Sequence, residues 1–341
     1  VGERLPHPPD DLTPRERRPR RWAGRATVVY LVAVAAAAVL FRATADDAWP
    51  ATVLLFGPRW VLAVPLVALV PLAAAARSWR AGVAAAVAAA VVAGPLLGGT
   101  VSPAGLVGPP VDAARLRVVT WNAAGTPPDR PAVREFLAAV RPDVVVVQES
   151  PAGGDGWPAG WHAVAGPAGV RVASVYPLRE TGRLTDATLG AAGGGLRVEV
   201  ETPAGPLAVV GIHLPTVRPG LEAALATRFR DVNELRAVIR VRDRASAVAR
   251  EWAADAAVVA GDFNMPDESV VFRRDWGGFA DAFAAAGTGF GWTKRTRWFG
   301  VRIDHVLAAR PWRPAAAWVG PDLGSDHRPL VADLVLEADG P

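Results

Sequence analysis

Three stretches near the start of the chain, residues 26–41, 60–76 and 81–97, carry no charged residue. A charge-free run of this kind has two stable outcomes: a helix that crosses a bilayer, or a helix buried on every side. At ~1.5 Å per residue each run reaches roughly 24–26 Å, a little under the ~30 Å of a hydrocarbon core. Trp22, Trp49, Trp60 and Trp79 stand at the ends of the runs, where tryptophan favours the interface. Arg25, Arg42, Arg59, Arg77 and Arg80 can reach headgroups from the same places. One alternative is a set of Ala-rich buried helices. Another is a cleaved signal peptide over 26–41, with Ala43-Thr44-Ala45 as its cleavage site. A signal peptide leaves the second and third runs without a home, so the reading is three transmembrane helices, the alanine-rich third being the least apolar.

The flanks follow from that choice. Residues 1–25, rich in Pro and Arg, read as a disordered cytoplasmic tail. Arginines before the first helix, with Arg77 and Arg80 between the second and third, mark the cytoplasmic side. An odd number of spans then puts the rest outside: a multi-pass cell-membrane protein with an extracytoplasmic domain. Residues 98–114 are a Gly/Pro-rich linker, and 115–338 form the soluble domain.

A sequence pI near 10.4 suggests a polyanionic partner, but the charge is unevenly placed. Residues 1–111 hold 11 Arg against 6 acids, whereas 112–341 hold 26 bases against 27 acids. A near-neutral domain exerts little long-range pull on nucleic acid, which is therefore a disfavoured partner. The chain has no cysteine, which excludes disulfides and thiolate metal sites. Lys294 is its one lysine.

In the soluble part, short apolar runs bounded by turn residues predict strands at 116–121, 144–148, 170–176, 196–202, 207–213, 257–263, 303–308 and 330–336. Helices are expected at 131–140, at 279–286, and as one longer helix within 222–254. Strands outnumber helices and several can pair as hairpins, which argues for an α/β (α+β) mixed-sheet sandwich over a strictly parallel sheet.

The chemistry gathers where these strands end. The run from Ala256 to Pro266 closes on Asp262 and Asn264, two residues apart and so on one face if the strand continues. Other ends carry Trp121-Asn122, Gln148-Glu149, His213-Leu214, Asp304-His305 and Ser325-Asp326-His327-Arg328-Pro329. Oxygen donors without thiolates suit Mg²⁺, Mn²⁺ or Ca²⁺. Histidines beside carboxylates can hold or protonate a phosphate oxygen, and an Asp fixes the tautomer of its His. The combination describes a metal-assisted phosphoester hydrolase.

Taken in order, Trp121-Asn122, Gln148-Glu149, His213-Leu214, Gly261-Asp262-Phe263-Asn264, Arg302-Ile303-Asp304-His305 and Ser325-Asp326-His327-Arg328-Pro329 resemble the endonuclease/exonuclease/phosphatase superfamily over about residues 115–338. The resemblance implies a DNase-I-like four-layer α/β sandwich and a divalent-metal phosphoester hydrolase, with Mg²⁺ as the first choice of ion. It implies Glu149 as the principal metal ligand, with Asn122 and Asp326 close to metal and phosphate. Asp262 would orient the attacking water and Asn264 contact the phosphate. His327 would act on the phosphate with Asp304 as its partner, and His213 would bond a phosphate oxygen or assist the leaving group. Ala124 departs from the pattern: nuclease-like members often carry an acid two residues after the first-strand Asn, which leans away from a repair nuclease.

The basic-aromatic loop around Lys294, Arg295, Arg297 and Trp298 is either an anion or headgroup clamp or a solvated loop. Arg236, Arg240 and Arg244 read as a solvated helix face. His7 and His162 fall outside every motif and read as exposed surface residues. The expected substrate is a lipid headgroup, a small molecule or an envelope phosphoester. The bilayer is the expected partner of the N-terminal helices. A membrane-tethered nuclease and a non-catalytic membrane-anchored binding module are the alternatives.

Overall fold

The structure, a computed structural model, describes residues 14–103, 114–151, 156–189 and 192–337. The chain divides into two compact units, residues 1–41 with 59–97, and residues 42–58 with 98–341.

The first unit is helical. Helix α1 (Pro14–Thr44) belongs to it as far as Phe41. It starts earlier than expected: residues 14–25 are helical, since arginine is a good helix former and a first-turn proline loses no hydrogen bond. Residues 1–13 of the expected tail lie outside the described residues. Arg20–Thr44 and Trp79–Leu96 are long and apolar enough to cross a membrane. A third candidate exists only if Trp49–Leu55 (α2) and Arg59–Ala75, bent by 84° from one another, count as one span. The single turn Arg59–Ala63 leads into α3 (Val64–Ala75), and α4 (Trp79–Val91) follows. These helices expose large apolar side chains, including Val29 at 68%, Val39 at 71% and Val67 at 78%.

The second unit is built on two six-stranded sheets. The first contains β1 (Arg115–Asn122), β2 (Val144–Gln148), β3 (His162–Ala165), β4 (Arg171–Ser174), β11 (Trp312–Val319) and β12 (Leu330–Leu336), in the order β11-β12-β1-β2-β4-β3. The second contains β5 (Leu178–Leu184), β6 (Gly194–Thr202), β7 (Gly205–His213), β8 (Val258–Asp262), β9 (Ala280–Asp281) and β10 (Asp304–Ala308), in the order β9-β10-β8-β7-β6-β5. Each sheet has a single parallel pair, β1 with β2 and β7 with β8; all other neighbours are antiparallel.

Alternate residues of the central strands meet between the sheets, among them Val118, Val144, Val146, Val209, Val258 and Val306. Their neighbours face outward under helices. Val119, Val145 and Val147 lie under α5 (Pro131–Val140) through Val133, Phe136 and Leu137. Val210, Ile212 and Val259 lie under the second helical layer through Ala245, Ala249 and Phe272. Burial on both faces explains the near-continuous valine runs, and the result is the four-layer α/β sandwich.

Three expectations gain detail or change. The longer helix expected within 222–254 is α7 (Asn233–Trp252), and a separate short helix, α6 (Arg218–Ala226), precedes it. Arg228 and Phe229 between them adopt left-handed backbone, and the Thr227 hydroxyl donates to the Asp231 carbonyl and accepts its N–H, which stops the first helix. The helix expected over 279–286 is shorter, because Asp281 caps α9 (Ala282–Ala286) by accepting from Phe283 and Ala284. In the expected linker, Thr100–Val101 pairs with Thr288–Gly289, while residues 104–113 lie outside the described residues.

Residues 42–58, placed by sequence between two apolar runs, pack into this second unit. Trp49 and Val53 of α2, with Phe56 just past its end, cover Leu235 and Ile239 of α7, and Trp49 stacks on Phe229 with ring centroids 6.0 Å apart.

Candidate active site

The ends of the two parallel pairs meet between the sheets. Asn122 ends β1 opposite Gln148 at the end of β2, and His213 ends β7 opposite Asp262 at the end of β8. Across the antiparallel ladder Asp262 also faces Asp304, the first residue of β10. One cross-strand row thus carries Asp304, Asp262 and His213.

Asn122, 1% exposed, ties the sheets together. Its amide donates to Glu149 Oε1 at 2.9 Å and to Asp262 Oδ2 at 3.0 Å. Glu149 lies just beyond β2 in left-handed backbone (φ 50°), and its carboxylate is half exposed. A non-glycine residue held there costs about 1–3 kcal/mol and marks a place where position outweighs stability. Ala124, also at positive φ, donates its N–H to Asn122 Oδ1 at 3.0 Å, so the residue that departs from the nuclease pattern acts through its backbone.

Asp262 is buried. Burial first, then the neighbouring Asp304 charge, raises its pKa above the ordinary carboxylate value. The strand stops at Asp262, and Asn264 lies beyond it in left-handed backbone (φ 51°). The pair therefore does not share a strand face as its spacing suggested; a turn brings them together. The Asn264 N–H donates to Asp262 Oδ1 at 2.8 Å, and its side-chain amide donates to the Leu214 carbonyl at 2.8 Å.

His327 Nδ1 lies 2.8 Å from Asp304 Oδ2, and its Nε2 stands 3.8 Å from Asp262 Oδ2. Burial alone would lower the imidazole pKa; the Asp304 carboxylate outweighs burial and raises it. The ring is anchored through its backbone, which donates to Ser325 Oγ at 3.0 Å and accepts from Trp121 Nε1 at 3.2 Å. His213 has two carboxylates nearby: Glu149 Oε1 at 3.7 Å and Asp262 Oδ2 at 3.8 Å. Asp326 is half exposed and ion-paired with Lys294, and Lys294 outweighs burial to hold its carboxyl below the ordinary value.

All eight singled-out residues thus sit in one hydrogen-bonded or close-contact set, whereas His305 of the same motif does not. His305 is buried on the opposite side of β10, with Nδ1 2.8 Å from Asp281 and Nε2 2.9 Å from the Met265 carbonyl. His162 lies exposed on the edge strand β3, as expected of a residue outside the motifs. Sequence reading assigned no site role to Arg218 at the start of α6, whose charge also helps lower the Asp326 pKa. A cleft of about 450 Å³ runs from Glu149, His213, Asp262 and His327 toward Pro219, Val238 and Val241.

The residues fit a hard divalent cation. Their donors are carboxylate, amide oxygen and imidazole. Asp304 Oδ1 is buried with no hydrogen-bond partner, and Asp262 is strained toward its neutral form, a state that a nearby cation relieves. Asp262, Asp304 and His327 also offer atoms within 4.8 Å of one another, but Asp304 and His327 spend the facing pair on each other.

A family model described as the Endonuclease/Exonuclease/phosphatase family matches residues 119–327. The chain belongs to the endonuclease/exonuclease/phosphatase family. As a family member it is a metal-dependent phosphoester hydrolase with the DNase-I-like fold. Among solved structures it resembles a humanized TDP2 from D. rerio, with 17% identity, TM-score 0.51, and coverage of 64% of this chain and 98% of that one. The human Nocturnin catalytic domain with bound sulfate matches at 17% identity and TM-score 0.49, covering 69% of this chain and 100% of that one. A family protein from Beutenbergia cavernae matches at 20% identity and TM-score 0.46, covering 65% and 72%. No curated protein matches this chain in sequence.

Proposed function

We propose that this family member is a membrane-anchored, Mg²⁺-dependent phosphoesterase whose substrate carries an aliphatic group beside its phosphate, as a lipid or envelope phosphoester does. The observation that carries this reading is the change of character along the cleft. At one end stand Glu149, His213, Asp262 and His327; at the other, the wall is Pro215, Pro219, Ala237, Val238 and Val241. Among the described residues the cleft lining has no Phe, Tyr or Trp and, beside its two histidines, Arg218 as its one arginine or lysine, whereas single-stranded nucleic acid is held by stacking rings and a basic track. That contrast favours the aliphatic ester over the nuclease. The assembled polar set favours turnover over a binding-only module.

In this reading Glu149 and Asp326 would hold the ion, with Asn122 close to it and bonded to Glu149, and the ion would supply Lewis-acid polarisation of a phosphoryl oxygen. Asp262, with its raised pKa, orients the attacking water and accepts its proton. Asn264, whose amide has a second N–H beyond the one given to Leu214, donates to the phosphate. Asp304 fixes the His327 ring, so that the protonated Nε2 faces the developing charge. His213 bonds a second oxygen or the leaving group.

The membrane reading rests on the exposed valines of the helical unit and on connectivity. The chain passes between units after Phe41, after Pro58 and after Leu97. Residues 42–58 cluster with the catalytic unit, which supports a reading in which α1 ends and Arg59 begins on one side of the membrane. If Trp79–Leu96 crosses and ends on that side, residues 59–75 must cross in the other direction. This gives three spans only if Arg59–Ala75, counted with α2 in the bent pair, is the second, and the arginines at 20, 21, 25, 77 and 80 then share the far side. By the positive-inside tendency the catalytic unit is extracytoplasmic.

The test uses the full chain in detergent micelles with bis-p-nitrophenyl phosphate, p-nitrophenyl phosphate, and dialkyl phosphates of increasing chain length, each with Mg²⁺ and with EDTA. Expected is metal-dependent turnover with kcat/KM rising up to about fourfold per buried methylene, the equivalent of ~0.8 kcal/mol. Turnover without any chain-length increment removes the aliphatic assignment, and preference for single-stranded DNA replaces it with the nuclease.

A further inference from the structure

Lys294 is the one lysine among 37 lysine and arginine residues, and it lies at the active site. It is 8% exposed, in the two-residue strand Lys294–Arg295 that pairs with Gly300–Val301. Backbone bonds lock this strand to the segment that carries His327. Lys294 bridges His327 directly, the Arg295 N–H donates to the Asp326 carbonyl at 3.0 Å, and the Arg328 N–H donates to the Thr293 carbonyl at 2.7 Å. Thr293 Oγ1 in turn accepts from the N–H of Asp304 at 3.2 Å. The lysine is therefore held in register with both members of the Asp304–His327 pair.

Its ammonium donates to Asp326 Oδ2. The other oxygen of that carboxylate lies 4.0 Å from His327 Nε2, which faces Asp262. An ammonium has three N–H donors, and Asp326 is its one hydrogen-bond partner among the described residues. Two donors remain beside the imidazole, next to a carboxylate that opens to solvent. If the cation only neutralised Asp326, arginine, used everywhere else in this chain, would serve. A lysine supplies a compact point charge with tetrahedral donors, where a guanidinium presents a flat fork.

We propose that Lys294 is a further catalytic residue whose ammonium, held by Asp326, donates to a nonbridging oxygen of the scissile phosphoryl group and stabilises the charge that develops there. This rests on the phosphoester-hydrolase reading of the same site.

A lone lysine makes the test direct. In full-length protein labelled with lysine bearing ¹⁵N at Nζ, one side-chain ammonium resonance reports on Lys294. Titration with orthovanadate in the presence of Mg²⁺ should shift that resonance in step with inhibition of bis-p-nitrophenyl phosphate hydrolysis. Lys294→Met should lower kcat by roughly 10²–10³-fold, as loss of an oxyanion donor does, and weaken vanadate inhibition. Its thermal midpoint and Mg²⁺ affinity should not fall. Lys294→Arg should recover part of the loss. A resonance that vanadate leaves unmoved overturns the assignment, whether or not Lys294→Met folds. So does a folded Lys294→Met with unchanged kcat. Failure of the hydrolase reading shows separately, as absence of metal-dependent turnover by the unsubstituted protein.

Discussion

Asp304 and His305 are consecutive in the chain and have unrelated surroundings, because successive side chains of a strand face opposite sides. Asp304 turns to His327 at 2.8 Å; His305 turns to Asp281 and a backbone carbonyl. The two clusters make separate predictions. Glu149→Gln removes a charge and almost no volume, so Mg²⁺ binding by calorimetry and turnover should both be lost while the thermal midpoint holds. Retained Mg²⁺ affinity would take Glu149 out of the metal site. Asp281 is a stability residue. Burial would raise its pKa, but the Arg302 guanidinium and then His305 outweigh burial and hold it well below the carboxylate range. A depressed folded pKa contributes stability that is complete above the ~3.9 of an unfolded aspartate and is lost as pH falls below it. Asp281→Asn keeps the capping geometry and loses the charge. The difference in thermal midpoint between it and the unsubstituted protein should be large at pH 6 and shrink toward pH 3. A difference independent of pH would deny the carboxylate this role.

At the scale of elements, the segment between α1 and α3 contributes more than a connection. Asp46 and Arg242 form a fully buried ion pair at 2.7 Å. Asp46 also accepts from the Ser269 hydroxyl and from the Val270 N–H at 3.0 Å, at the start of α8 (Val270–Trp276). Arg242 lies over the Phe56 ring at 5.6 Å. Truncating one member of such a pair leaves a buried charge alone, so Asp46→Ala should cost about 3–5 kcal/mol in chemical denaturation. A loss under about 1 kcal/mol, the worth of an exposed pair, would mean that water reaches Arg242. A fragment that starts at residue 112 lacks Asp46, Trp49, Val53 and Phe56. It should be less stable than the full chain and bind hydrophobic dyes through the face of α7 that α2 leaves bare.

For the whole molecule the prediction concerns sidedness. With no native cysteine, single cysteines report cleanly. In sealed vesicles of one orientation, a membrane-impermeant maleimide should label Ala204→Cys, in the exposed turn between β6 and β7, and Arg80→Cys from opposite sides. Labelling of both from one side would mean that residues 59–75 do not cross.

The sequence by itself determined the layers and brought forward most of the candidate site. Runs such as Val144–Gln148 are too apolar to lie anywhere except between two covered faces, and polar residues directly after such runs had to collect at the sheet ends. Local pattern was enough there because burial and alternation are properties of a few adjacent residues. Tertiary structure alone decided the rest. It turned Asn264 back toward Asp262 through left-handed backbone, sent His305 away from the site, and gave His213 its carboxylates. It set Lys294 on Asp326 and buried Asp46 against Arg242, partners 32 and 196 residues apart. Contacts of that range depend on how separately formed elements pack, and no pattern of neighbouring residues encodes them.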